Sequence, residues 1–179
     1  QGLVVLGDVF TSRIAPVLER FLSDLNYNLS DDTLNLDDSS AFSFSLGFLD
    51  VVEGKVLHPS IEKRLTEANW DLLVRHVSIW AAKKVESALF LPGPATASNV
   101  AKKFNTLGGL RADRDVRSLS AYFSGKCRRT SVRDVFARLS QIALLINLEQ
   151  PSEVYDIWGG NAGGMTWRLS PAEVRRALL

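Results

Sequence analysis

Cysteine is nearly absent from this chain, with one in 179 residues. That excludes a disulfide framework and a cluster of thiolate metal ligands, and it points to a reducing compartment. Histidine is almost as scarce. His58 and His76 alone leave little material for acid–base or metal chemistry. Long apolar runs are missing too, and none approaches the roughly 18 residues of a membrane span. Neither sign of charge dominates, since 21 Lys+Arg oppose 20 Asp+Glu for a formal net charge of +1. So neutral a total argues against a basic nucleic-acid binder. What is present is ordinary. A hydrophobic fraction of 46%, a charged fraction of 23% and a mean hydropathy of +0.03 fit a soluble globular protein. They exclude collagen, low-complexity tails and intrinsic disorder. Composition thus predicts a soluble helical protein without enzymatic activity.

The charge is unevenly distributed. Residues 1–75 carry six bases against twelve acids, for −6, and the remainder fifteen bases against eight acids, for +7. Such polarity steers partners if the charges cluster in space. Otherwise each half simply solvates its outer helical faces. The start, Gln1 to Gly7, is apolar but has no basic lead and stops at Asp8, so no signal peptide is expected. The sequence reads as a portion of a longer chain, closing within an apparent helix at Arg175–Leu179.

Periodicity predicts helices throughout. Within residues 3–27, Val9, Phe10, Ile14, Val17, Leu18, Phe21, Leu22 and Leu25 recur at three- and four-residue spacing, which marks one face of a helix. Pro16 lies inside that pattern, and a kink or break is expected near residues 12–15. Residues 28–40 are acidic and turn-rich and read as a connecting loop. They lack the spaced ligands, central Gly and terminal Glu of an EF-hand calcium loop. Over Ala41–Phe48 a weak alternation hints at a strand, but a helix continuing through Asp50 and Lys55 suits the neighbourhood better. One long helix is expected from Ser60 to Leu91, with Trp70 and Trp80 as core anchors. His58, before Pro59, falls in the corner ahead of it. His76 reads as a surface or hydrogen-bonded residue, because no second ligand stands at chelating spacing.

Further on, Pro92 to Asn99 is the clearest linker. Gly108-Gly109 reads as a tight turn and matches no phosphate-cradling motif. A short helix is expected from Asp113 to about Gly125. The basic turn Lys126-Cys127-Arg128-Arg129 follows, with Cys127 a bystander because no His–Asn/Asp set accompanies it. Thr130 or Ser131 is expected to cap the next helix, which has Asp134 in its first turn and ends at Asn147. Pro151 starts a short helix to Trp158. Ser170-Pro171-Ala172-Glu173 is a capping box that starts the last helix at Pro171.

Four segments go beyond helix grammar. They are Phe104-Asn105-Thr106-Leu107-Gly108-Gly109-Leu110; Arg133 through Gln141; Leu148-Glu149 with Asp156-Ile157-Trp158-Gly159; and Thr166 through Arg175. This ordered series resembles the C-terminal region of subunit 4 of the conserved oligomeric Golgi complex, a vesicle-tethering family. The specific match covers about residues 104–179.

The resemblance implies an all-α chain of the multisubunit-tether type. It would be an elongated helical bundle over 1–128, carrying the loop near 28–40 and a linker near 92–103. A small C-terminal helical domain over 129–179, truncated at its end, would follow. The implied role is a non-catalytic subunit of a Golgi tether acting in retrograde intra-Golgi transport. Its place would be peripheral, on the cytoplasmic face of Golgi membranes, with membrane association indirect. Partners would be other subunits of the complex, and the SNARE machinery through N-terminal regions absent here. No cofactor, metal or nucleic acid is implied.

Physical reasoning adds a few residues. Arg138 interrupts an apolar helix, and if that helix is sandwiched it needs a carboxylate. Glu173, Glu153 and Asp156 are the candidates, and an Arg138–Glu173 pair is the expected structural salt bridge. Arg128, Arg129, Arg133, Arg168, Arg175 and Arg176 form a candidate interaction surface. On one face they would support a second reading, a basic helical module binding anionic membrane or nucleic acid.

Overall fold

The computed structural model of the chain describes residues 2–23, 27, 44–90, 105–158 and 166–178. The expected loop at 28–40, the linker at 92–103 and the Asn161–Gly164 stretch lie outside the described residues. Eight α-helices and no strand occur among those described. The architecture is therefore all-α.

Helix α1 (Gly2–Ser23) buries Gly7, Thr11, Ile14, Leu18 and Leu22. Of the expected stripe, Ile14, Leu18 and Leu22 are buried, Phe10, Val17 and Phe21 are half-buried, and Val9 is exposed; Leu25 lies outside the described residues. The expected break at residues 12–15 is absent, because the helix runs unbroken through Pro16. Proline removes only the bond to the carbonyl of Ser12, and both residues are exposed, so water meets that carbonyl. The buried residues on either side hold the helix in one piece. Helix α2 (Phe44–Lys55) shows that the ambiguous segment is helical from Phe44 onward.

The single long helix expected from Ser60 is two. A one-turn helix α3 (Pro59–Glu62) is capped by the His58 side chain, which accepts from Ser60 N. Helix α4 (Glu67–Phe90) then starts afresh. The missed signal is Thr66, whose Oγ1 accepts from Asn69 N at 3.3 Å. That is an N-cap bond satisfying a donor that the helix itself leaves orphaned.

Helix α5 (Thr106–Lys126) begins seven residues ahead of the expected Asp113. Its cap is Asn105, whose Oδ1 accepts from Gly108 N at 2.8 Å. Gly108-Gly109 is thus not a tight turn but part of the first helical turns, and both residues are buried. A Cβ on Gly108 would lie 1.5 Å from the Tyr27 carbonyl oxygen, and one on Gly109 2.9 Å from Asn147 Oδ1. Glycine is required at 108 by the close approach of the Tyr27 backbone, and at 109 by the Asn147 side chain and the Ile146 carbonyl.

Helix α6 (Arg133–Ile146) is capped by Val132 without a side-chain bond, not by Thr130 or Ser131. Val132 is fully buried, so packing fixes this helix start. The chain then forms a 3-10 turn (Pro151–Glu153), helix α7 (Val154–Ile157) and helix α8 (Pro171–Ala177). At α8 the capping box is complete, with Ser170 Oγ accepting from Glu173 N and Glu173 Oε2 accepting from Ser170 N at 2.7 Å.

Ion pairs and hydrogen bonds give the topology. Asp8 faces His76, and Glu19 faces Lys84, so α1 and α4 run parallel. Ser45 meets Asp115, and Glu53 meets Lys126, so α2 and α5 run parallel. Trp70 Nε1 donates to the Lys126 carbonyl at 2.8 Å, so α4 and α5 are antiparallel. The end of α6 returns to the start of α5, where Asn147 Nδ2 donates to the Gly109 carbonyl at 3.0 Å. One continuous core joins Ile14, Leu18, Phe48, Trp70, Leu73, Leu119, Phe123, Phe136 and Leu139 to Leu169 and Val174. Trp70 is 1% exposed, whereas Trp80 lies at the core edge.

Candidate functional site

Helix α6 turns its apolar face, with Phe136, Leu139, Ile142 and Ala143, into the core. Its flank carries Arg138 and Gln141. These stand three residues apart, so they are neighbours on the helix surface. Arg138 lies between α4 and the C-terminal segment. Its Nη2 donates to Glu86 Oε1 and to Glu173 Oε1, both at 2.6 Å, and its Nη1 donates to the Arg168 carbonyl at 2.6 Å. Hydrogen bonds to Glu86 and Glu173 push the guanidinium pKa up. Arg138 is 33% exposed, Glu86 24% and Glu173 32%. The triad is only partly shielded from water, and a charge-assisted fork holds it.

Gln141 extends the same grip. Its Nε2 donates to the Thr166 carbonyl at 2.9 Å, and its Oε1 accepts from Arg168 N at 2.8 Å. Both amide ends are used, as a buried amide requires. Between these contacts, Trp167 donates through Nε1 to the Ile157 carbonyl at 2.9 Å and packs on Trp158 at 4.6 Å. Residues 166–173 are thereby fixed to α6, α4 and α7.

Of the carboxylates considered for Arg138, Glu173 is in contact. Glu153 instead accepts from the Glu149 and Gln150 amides, and Asp156 is exposed. The second partner, Glu86, was missed. Only the parallel packing of α4 beside α6 brings it there, and no local pattern in 85–88 announces it. Glu173 serves both roles at once, Oε1 to Arg138 and Oε2 to the Ser170 amide. Hydrogen bonds from Arg138 and then from Ser170 hold its carboxyl down at about 2, from an ordinary 4.5.

The six candidate surface arginines are not alike. Arg128 pairs with Glu62, and Arg129 with Glu67 at 3.0 Å. Arg133, Arg168 and Arg175 are exposed, and the Asp134 carboxyl feels the charge of Arg168. Arg176 belongs to α8, but its side chain lies outside the described residues. Opposite Arg128 and Arg129, α4 supplies a residue that sequence reasoning overlooked. Asp71 is 2% exposed and accepts from the Arg128, Arg129 and Thr130 amides at 2.7–2.8 Å. Burial pushes this carboxyl up, but the three amides outweigh it and leave the pKa below the ordinary value. The α5–α6 turn is therefore anchored by an aspartate, much as an N-cap anchors a helix.

Among the described residues, no group of three or more His, Cys, Asp or Glu is placed to hold a metal ion. No helix among them is long and apolar enough to cross a membrane.

The arrangement is one of clasps between helices, and comparison with known proteins agrees with the sequence motifs. Residues 2–176 match the family model described as the C-terminal part of conserved oligomeric Golgi complex subunit 4. The chain belongs to this family. Its similarity to the subunit 4 protein of Arabidopsis thaliana is 38% identity over 178 residues, 99% of this chain and 22% of that protein. A shorter stretch of 75 residues, 42% of this chain, is 55% identical to the Homo sapiens subunit 4 protein and covers 9% of it. The Dictyostelium discoideum subunit 4 protein is 31% identical over 170 residues, 93% of this chain and 17% of that protein. The chain thus spans about a fifth of the length of its relatives, or less.

Proposed function

We propose that the chain is the C-terminal helical part of a non-catalytic subunit of a Golgi vesicle-tethering complex. It supports retrograde intra-Golgi transport and Golgi organisation through contacts with other subunits of that complex. The family match across residues 2–176 carries this reading. Attachment is peripheral, on the cytoplasmic face of Golgi membranes, and SNARE contacts belong to other regions of the longer relatives. Within this part, Arg138, Glu86 and Glu173 act as a structural pin that keeps residues 166–177 seated on α6. Arg133, Arg168 and Arg175 offer exposed cations to a neighbouring subunit.

The alternative of a basic module for anionic membrane or nucleic acid finds less support. Nothing in the comparisons points to it, and Glu62 and Glu67 beside Arg128 and Arg129 break up the basic stretch with negative charge. The decisive experiment is affinity purification of the tagged chain from cells. Recovery of the other tether subunits is expected. Salt-sensitive recovery of anionic vesicles or RNA, with no tether subunit present, would overturn the reading.

A further inference from the structure

The turn between α5 and α6 contains a pattern that a tethering role leaves unused: Arg128-Arg129-Thr130-Ser131-Val132. We propose that Ser131 is a phosphorylation site for a basophilic serine/threonine kinase, with Arg75 as the cation that receives the phosphate. Such kinases read arginines three and two residues ahead of the acceptor with acidic subsites, and favour an apolar residue behind it. Here Arg128 and Arg129 hold those two positions, and Val132 follows.

The geometry singles out Ser131. Arg128, Arg129 and Ser131 are all exposed and lie outside any helix. Their backbone amides are held by Asp71, but the side chains of the two arginines point outward into surface ion pairs with Glu62 and Glu67, which exchange readily for other carboxylates. Thr130 is a poorer acceptor. Its amide is held by Asp71, and its hydroxyl interacts with Asp71 and Cys127. Ser131 Oγ accepts only a long bond of 3.4 Å from Arg133 N, so its proton is free to leave. Val132, in contrast, is already seated in the core. A kinase acting on the folded chain reads the arginines and the hydroxyl from outside and forgoes the apolar contact.

In the transfer, Ser131 Oγ attacks the γ-phosphorus of a nucleoside triphosphate. The new O–P bond forms as the bond to the β–γ bridging oxygen breaks. The nucleoside diphosphate leaves, and the hydroxyl proton passes to the kinase's base. The product carries about −1.5 to −2 charges at neutral pH. Arg75 Nη1 already lies 3.2 Å from the Ser131 carbonyl, and the same guanidinium holds Asp134 through Nη2 at 2.8 Å. The phosphate therefore competes with Asp134 for Arg75, the residue through which α4 reaches the start of α6.

The 179-residue chain is incubated with a basophilic kinase catalytic subunit and ATP, beside a synthetic peptide covering residues 126–134. Mass spectrometry should place a single phosphate on Ser131, added more slowly than to the peptide. Ser131→Ala should abolish it, and Arg128→Ala with Arg129→Ala should sharply slow it while the far-UV spectrum is unchanged. Thr130→Val should leave the site in use. Phosphorylation should shift the denaturation midpoint of the chain, and Arg75→Gln should shrink that shift. Modification of the peptide but not of the chain overturns the site. So does phosphate on Thr130, or indifference to the arginines. An equal midpoint shift in Arg75→Gln overturns the assignment of Arg75.

Discussion

Replacing Arg138 by methionine keeps the bulk of the side chain and removes the charge that Glu86 and Glu173 share. Two carboxylates would then face each other across a site that is about one-third exposed. A fully buried pair broken on one side costs about 3–5 kcal/mol, and a surface pair about 0–1. Arg138→Met is therefore expected to lose about 1–3 kcal/mol, between those limits, read by urea denaturation. Glu173 adds a pH signature. Its carboxyl is depressed from 4.5 to about 2, so its contribution is complete above the ordinary carboxylate range. That contribution is lost as pH falls through about 2. Midpoints measured from pH 5 downward should fall less steeply in Glu173→Gln than in the unaltered chain. At this scale the sequence was partly readable. An arginine in an apolar helix demands a carboxylate, and the capping box announces Glu173. Glu86 and Asp71 were not readable, because their partners arrive only through the packing of α4 on α6 and on the α5–α6 turn.

At the scale of the element, the informative residues are those that start helices. Glycine substitutions in α5 should have opposite signs. Gly108→Ala puts a methyl 1.5 Å from the Tyr27 carbonyl, where backbone must move; overpacking costs about 1–3 kcal/mol and here should reach at least the upper end. Gly125→Ala meets nothing within 4 Å and should gain about 0.5–1 kcal/mol from reduced chain entropy. Thermal melting of the two variants checks both signs. Apolar spacing located α4, α5 and α6, Pro151 announced the short helical stretch that ends in α7, and the capping box located Pro171 at the start of α8. The ends went wrong where a start signal competed with an apolar stripe. Thr66 divides what looked like one helix. Asn105 opens α5 ahead of its apolar stripe, because the Gly-Gly pair that suggests a turn serves a close approach. The break expected at Pro16 failed because the freed carbonyl faces solvent.

At the scale of the whole molecule, ion pairs among the described residues join the two charge blocks. The acidic first part faces the basic remainder through Glu19–Lys84, Glu53–Lys126, Glu62–Arg128 and Glu67–Arg129. Screened surface pairs of this kind contribute little each, but they fix which helix lies beside which. No sequence statistic shows that the two charge blocks are complementary surfaces of one bundle rather than separate poles. The parallel arrangement of α1 with α4, and of α2 with α5, has a kinetic consequence. Tyr27 reaches Asp115 across 88 residues, and closing so long a loop is entropically late in folding. The consecutive antiparallel pairs α4–α5 and α5–α6 can associate first, with α1 and its Tyr27 anchor docking afterwards. Tyr27→Phe should therefore leave the refolding rate nearly unchanged and accelerate unfolding, a separation that stopped-flow chevrons would resolve. The first helix would be the last to arrive and the first to leave.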